Sequence, residues 1–159
     1  MRHDSYDATC GVCKSNAGEG AAAADPVYEN ELWVVRRLGP GLGVPGWMMM
    51  VSQRHVAGPA HFNDPEAENF GVSIRHLERV LEEVTGALRI YTAAMGESFP
   101  HFHCHMVPRQ EKMPRDASAW EVFDLLRATG AGEVSMDQEE ADRIAAAYRD
   151  ALTKAPPPL

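Results

Sequence analysis

Between Asp64 and Leu88 the apolar residues Phe70, Ile74, Leu77, Leu81, Val84 and Leu88 recur at spacings of 4, 3, 4, 3 and 4. That rhythm keeps them on one stripe of a helix and predicts a long amphipathic helix lying across a sheet. Asp64 followed by Pro65 marks its start, with Asp64 as the N-cap and Pro65 at the first helical position. Further along, the rhythm changes to two. In "SFPHFHCHMVPR", Ser98 to Arg109, the residues His101, His103 and His105 alternate with Phe102, Cys104 and Met106. Successive strand side chains point to opposite faces, so this stretch reads as a half-buried strand with a polar face of three imidazoles and an apolar face on the core.

The other elements follow from the same patterning. "VYENELWVVRRL", Val27 to Leu38, has β-branched and aromatic residues around a turn and reads as two short strands or one hairpin. "GPGLGVPG", Gly39 to Gly46, is a turn-rich loop placed at a site or an edge. "WMMMVSQRH", Trp47 to His55, reads as a buried strand ending in polar residues, its methionines filling core. "LRIYTAAM" is a strand that pairs with the histidine strand across a short turn. Two C-terminal helices are marked by Ser118 with Glu121 and Ser135 with Gln138, and the second runs through Ile144, Tyr148 and Leu152 until "APPP" stops it. The segment up to Asp25 reads as an irregular arm. The expected fold class is α+β: a five-stranded antiparallel sheet, a long amphipathic helix and C-terminal helices. Residues 1–112 form the main domain with its N-terminal arm, and 113–159 a helical extension packed on it.

Composition narrows the chemistry. At 159 residues with 45% hydrophobic and 24% charged side chains, the chain is long enough for one ordinary core and excludes disordered or fibrous classes. A net charge of −8 disfavours a broad surface for nucleic acid or anionic membrane, while a local phosphate pocket stays compatible with it. No apolar run reaches the ~18 residues of a membrane span, and the N-terminus lacks a signal-peptide core, so the expectation is a cytoplasmic protein. Three cysteines, Cys10, Cys13 and Cys104, argue against a disulfide framework there. Cys104 faces away from the histidines and reads as core.

On an extended strand His101 and His103 stand about 7 Å apart and His101 and His105 about 13 Å. An ion that binds imidazole at about 2.0 to 2.1 Å cannot hold the outer pair without a sharp bend, so the three histidines divide between two tasks. Cys10 and Cys13 have the C-x-x-C spacing of zinc or of redox chemistry, and no strand precedes them as a redox motif needs, which favours structural zinc. A neutral imidazole is in turn a good nucleophile toward phosphorus, and a second one two residues on can hold charge on the phosphate.

"HFHCHMVPR" resembles the signature of the histidine triad family, in which histidines alternate with apolar residues. The resemblance covers roughly Cys10 to Arg109, because the C-x-x-C, the strand ending in histidine, the long helix and the strand pair stand in the family's order. It implies a nucleotide hydrolase or nucleotidyl transferase that cleaves at an α-phosphorus, in a nucleoside phosphoramidate or dinucleoside polyphosphate, through a covalent nucleotidyl-histidine. By that resemblance His103 is the nucleophile, and His105 and Ser98 bind the phosphate. Cys10, Cys13, His55 and His101 hold a structural zinc, and the protein is a homodimer acting on a small-molecule nucleotide. The chain departs from the family at Gly46-Trp47, where Gly-His is usual, and at Glu97, where Gln is common. The first loop, "VVRRLGPG", lacks the acidic residue that would hold ribose, and Arg36 or Arg37 reads either as the solvated end of a strand or as the mark of a larger anionic ligand. Two alternatives stand beside this reading: a metal-dependent hydrolase with His101 and His103 as ligands, and a non-catalytic nucleotide-binding protein.

Overall fold

The computed structural model describes residues 3–19, 26–97 and 99–159. Among them the sheet has five antiparallel strands in the order β1-β2-β3-β5-β4, with β1 Tyr28–Glu29, β2 Trp33–Arg37, β3 Met48–Ser52, β4 Arg89–Ala93 and β5 His103–Arg109. The helices are α1 Gly11–Asn16, α2 Asp64–Thr85, α3 Val122–Gly130 and α4 Gln138–Lys154. This is the expected α+β arrangement, with the hairpin at Val27 to Leu38 and the β4–β5 pair in place.

Alternation along the strands divides the sheet into two faces. Val35, Met50 and Cys104 lie in one row of paired residues, and Met48 pairs with Met106 in the next. All five are at most 2% exposed and form the main core with Leu77, Val80 and Leu81 of α2 and Ile144, Tyr148 and Leu152 of α4. The methionine run thus fills core at Met48 and Met50, as read from the sequence. Cys104 is core too, and burial pushes its thiol up to about 12. The other face carries Val34, Arg36, Met49, Val51, His103 and His105 by the same register. There α3 makes a smaller cluster, in which Trp47, Val107, Met113 and Val122 are buried.

Several boundaries differ from the sequence reading. The N-cap of α2 is Asn63, not Asp64: its side chain accepts from the Glu66 N–H while the Glu66 carboxylate accepts from the Asn63 N–H. This reciprocal pair outcompetes an Asp at the next position because it satisfies two end groups at once. Gly86, left-handed at φ 64°, ends the helix, so Leu88 falls outside the stripe and is 60% exposed. Neither Ser118 nor Ser135 caps through its side chain. Ser118 precedes a short 3-10 turn, and α4 is capped by Asp137, which accepts from the Glu140 N–H. The arm before residue 20 is not wholly irregular either, since Cys10 caps α1 by accepting from the Cys13 N–H.

The Gly39–Gly46 loop is held by the C-terminal helices. Gly41 N–H donates to Gln138 at 2.8 Å, and Gly43 N–H donates to Thr129 at 2.8 Å. Gly43 has φ +71°, and a Cβ there would lie 2.7 Å from Trp47 Cε3, so only glycine lets the loop close on the indole. Arg37 forms an ion pair with Asp142 of α4, and Arg36 donates to the Ser15 carbonyl at 3.1 Å. Both arginines therefore tie elements together.

Candidate functional site

Two loops bring the first group of side chains together. Past Ser52 the chain leaves β3 and bends, so His55 lies beyond the strand rather than at its end. Opposite it, His101 sits just before β5 rather than within it. Phe102 N–H donates to Val56 O at 2.6 Å and Ser52 N–H to Phe102 O at 3.2 Å, which clips the two loops side by side. Arg54 is fixed by a bidentate pair with the buried Glu66 carboxylate, at 3.0 and 2.6 Å, anchoring the residue before His55 to the start of α2. The Ser5 hydroxyl accepts from the His55 N–H at 2.8 Å and holds the arm against the same loop.

Cys10, Cys13, His55 and His101 converge there, their ligand atoms all within 4.8 Å of one another. Cys13 Sγ lies 3.3 Å from His55 Nδ1 and 3.5 Å from His101 Nδ1, and Cys10 Sγ lies 3.6 Å from His101 Nδ1. A tetrahedral ion with bonds of about 2.3 Å to sulfur and 2.0 to 2.1 Å to nitrogen sets S···N near about 3.5 Å. The four residues therefore fit a Cys₂His₂ zinc site in type, number and spacing. His101 Nε2 donates to the Ser52 carbonyl at 2.8 Å, which turns its Nδ1 lone pair toward the thiols, as an outer hydrogen bond orients a metal ligand. Burial lowers the pKa of His101 and raises that of Cys13.

His103 and His105 stand apart from that group, on the site face of β5, with ring centroids 5.3 Å apart. His103 is half-buried, and its Nδ1 lies 2.8 Å from the His101 carbonyl. A carbonyl can only accept, so in the neutral ring the His103 proton is on Nδ1 and Nε2 keeps a lone pair. His105 is 7% exposed, and its Nδ1 lies 3.0 Å from Trp47 Nε1. An indole N–H can only donate, so here Nδ1 accepts and the proton is on Nε2. Burial, with the neighbouring His103, pushes the pKa of His105 down to about 4, leaving it neutral at ordinary pH. The Phe123 ring of α3 meets Trp47 and His105 edge to face at 5.2 and 5.4 Å. Each histidine of the strand motif is thus held in one tautomer by a partner with one possible role.

No protein-family model and no curated protein matches the chain. Among solved structures it is similar to a Hit-like protein from Bartonella henselae, with TM-score 0.61 and 17% identity over 89% of this chain and 98% of that one. It is equally similar to a histidine triad protein from Marinobacter aquaeolei, with TM-score 0.62 and 17% identity over 84% and 92%. This is the histidine triad fold. A Zn-bound histidine triad family protein from Mycobacterium smegmatis also matches, with TM-score 0.53 and 20% identity over 79% and 95%. At such identities it is the backbone course that relates this chain to other histidine triad folds.

Of the residues singled out in the sequence, Cys10, Cys13, His55 and His101 lie in one group, and His103 and His105 lie together in a second. Ser98 lies outside the described residues. Trp47 stood out only as a departure from the Gly-His of the family, and its contact with His105 depends on the β3–β5 pairing of Met49 with His105. Phe123, 18 residues beyond His105 on a helix distant in sequence, carries no sequence signal for its place against Trp47 and His105.

Proposed function

We propose that this chain hydrolyses or transfers nucleotides at an α-phosphorus through a covalent nucleotidyl-histidine on His103. The observation that supports this best is the pair of opposite tautomers: a lone pair on His103 Nε2 beside an N–H on His105 Nε2. The first is a nucleophile toward phosphorus; the second is a hydrogen-bond donor toward the oxygens that gather charge as phosphorus is attacked.

In the first step the Nε2 lone pair forms the N–P bond while the bond from phosphorus to the leaving group breaks, its electron pair leaving with that group. The His101 carbonyl stabilises the imidazolium left on His103 by accepting from Nδ1–H. Ser98 and His105 bind the phosphate oxygens. Water then forms an O–P bond as the N–P bond breaks, the electron pair returning to Nε2 and a water proton passing to solvent, which releases a nucleoside monophosphate and restores the neutral imidazole. Cys10, Cys13, His55 and His101 hold zinc, which ties the N-terminal arm to the strand and takes no part in either step. The molecule acts as a homodimer on a small nucleotide.

A hydrolase with a catalytic ion on His101 and His103 fits less well. Among the described residues the convergent ligand group includes His101 and omits His103, whose Nδ1 is engaged by backbone. The test is intact-protein mass spectrometry after brief mixing with adenosine and guanosine substrates and a quench that preserves the N–P bond. A nucleotidyl adduct on the native protein and none on His103→Ala is expected. Turnover by His103→Ala equal to native would overturn the mechanism, and binding without turnover would make the chain a nucleotide-binding protein.

A further inference from the structure

Trp47 is 2% exposed, packed between the Gly43 backbone and the Phe123 ring, and its single polar atom is spent on His105. An indole N–H neither accepts a proton nor passes one on. A histidine in that place could do both, and would let a proton reach His105 Nδ1 and leave from Nε2. With Trp47 there, protonating Nδ1 would set two N–H groups head to head inside a buried contact. His105 is thereby confined to the neutral, Nε2–H form, and its low pKa agrees with this. A neutral imidazole N–H donates a hydrogen bond but does not surrender its proton at physiological pH.

The consequence falls on the leaving group. Oxygen leaving groups of phosphoanhydrides depart as stable phosphate anions and need only hydrogen bonds. Amine leaving groups of phosphoramidates need a proton as the P–N bond breaks, and an imidazolium is the ordinary donor. We propose that Trp47 is a positioning residue that locks His105 as a neutral donor, and that this site is thereby selective for nucleotide phosphoanhydrides over phosphoramidates. In the favoured reaction the His103 N–P bond forms, the P–O bond to the departing phosphate breaks with its electron pair on oxygen, and no proton is transferred in that step. The inference rests on the nucleotidyl-histidine reading given above.

Two experiments test it. The first is long-range ¹⁵N–¹H imidazole spectroscopy of the native protein at pH 7, with His105 assigned by the signals missing from His105→Gln. The expected result is an Nε2–H tautomer with scalar coupling across the hydrogen bond between Trp47 Nε1 and His105 Nδ1. A proton on Nδ1, or no such coupling, overturns the lock, and this measurement needs no substrate. The second compares kcat/KM for diadenosine polyphosphates and adenosine 5′-phosphoramidate in native protein and Trp47→His. Native protein is expected to prefer the anhydride by at least about tenfold. Trp47→His is expected to narrow that ratio mainly through kcat on the phosphoramidate. An equal or reversed preference in native protein overturns the selectivity while leaving the nucleotidyl-histidine intact. Turnover of neither, with no His103 adduct, overturns both readings.

Discussion

At the scale of single residues the chemistry lies in which nitrogen carries the proton. His101, His103 and His105 alternate between Nε2–H, Nδ1–H and Nε2–H because Ser52 O, His101 O and Trp47 Nε1–H each face one ring atom. The spacing of the motif made division of labour among the histidines legible, through the simple reach of a strand. It did not reveal the tautomers, because each partner is a backbone carbonyl or, for His105, the Trp47 side chain just before β3. The burial of His105 also makes it a pH-dependent element of stability. Its folded pKa, about 4, lies below the ordinary histidine value, so between about pH 6.5 and 4 the unfolded chain binds the extra proton. Stability from this group is complete above about 6.5 and declines as pH falls, by up to about 1.4 kcal/mol per pH unit. Urea unfolding of native protein and His105→Gln across that range is expected to show a shallower acid decline in the variant. Parallel curves would mean that His105 is already protonated in the native state or free to become so.

At the scale of elements, short side-chain anchors set where the loops deliver their ligands. Glu66 is the clearest, since one buried carboxylate completes the α2 capping box and holds Arg54 beside His55. Glu66→Ala removes the returning half of the capping box, while the Asn63 side chain keeps its bond from the residue 66 N–H, and it leaves a half-buried guanidinium without its partner. Most of the cost comes from the broken pair with Arg54 and the rest from the Asn63 N–H losing its acceptor, so a loss of about 2 kcal/mol or more is expected in chemical denaturation. Zinc affinity should weaken about 10- to 100-fold, as when an outer support of a ligand is lost, which competition with a chelating dye would read. Unchanged zinc affinity would show that the His55 loop holds its position without Arg54. The apolar stripe of α2 was plain in the sequence because helical periodicity is a local property. Its cap at Asn63, the same class of residue one position earlier, depended on Glu66 turning back, which the same side chain also does for Arg54.

At the scale of the whole molecule the sheet separates two bodies of packing. The main core joins α2 and α4 to one face; Tyr148 of α4 donates to the Leu77 carbonyl at 2.9 Å inside it. The other face carries the histidines, roofed in part by α3. Cys10, Cys13, His55 and His101, the group that fits zinc, lie outside both clusters. Metal-binding energy is folding energy for whatever the ligands join, here the arm, the His55 loop and the approach to β5. Removing zinc with a strong chelator should therefore speed hydrogen exchange at residues 3–19 and 53–57 by tenfold or more while β2, β3 and α2 keep most of their protection. A uniform loss across the sheet would show that the ion supports the whole fold.

The sequence by itself determined the elements and the residue types of the site. Periods of two and of about 3.6 are imposed by backbone geometry within a few residues, and the alternation from His101 to Met106 and the stripe from Phe70 to Val84 can hardly be read otherwise. The C-x-x-C spacing likewise marked Cys10 and Cys13 as candidate metal ligands, and the reach of a strand divided the three histidines between two groups. Tertiary structure decided what those residues meet. The position of His55 past the strand end, the Gly43 backbone against Trp47, the indole on His105 and the Phe123 ring over both depend on strand register and on a helix distant in sequence. A tautomer is set by whichever group happens to face a ring nitrogen, and that is a property of packing between elements, which no local pattern records.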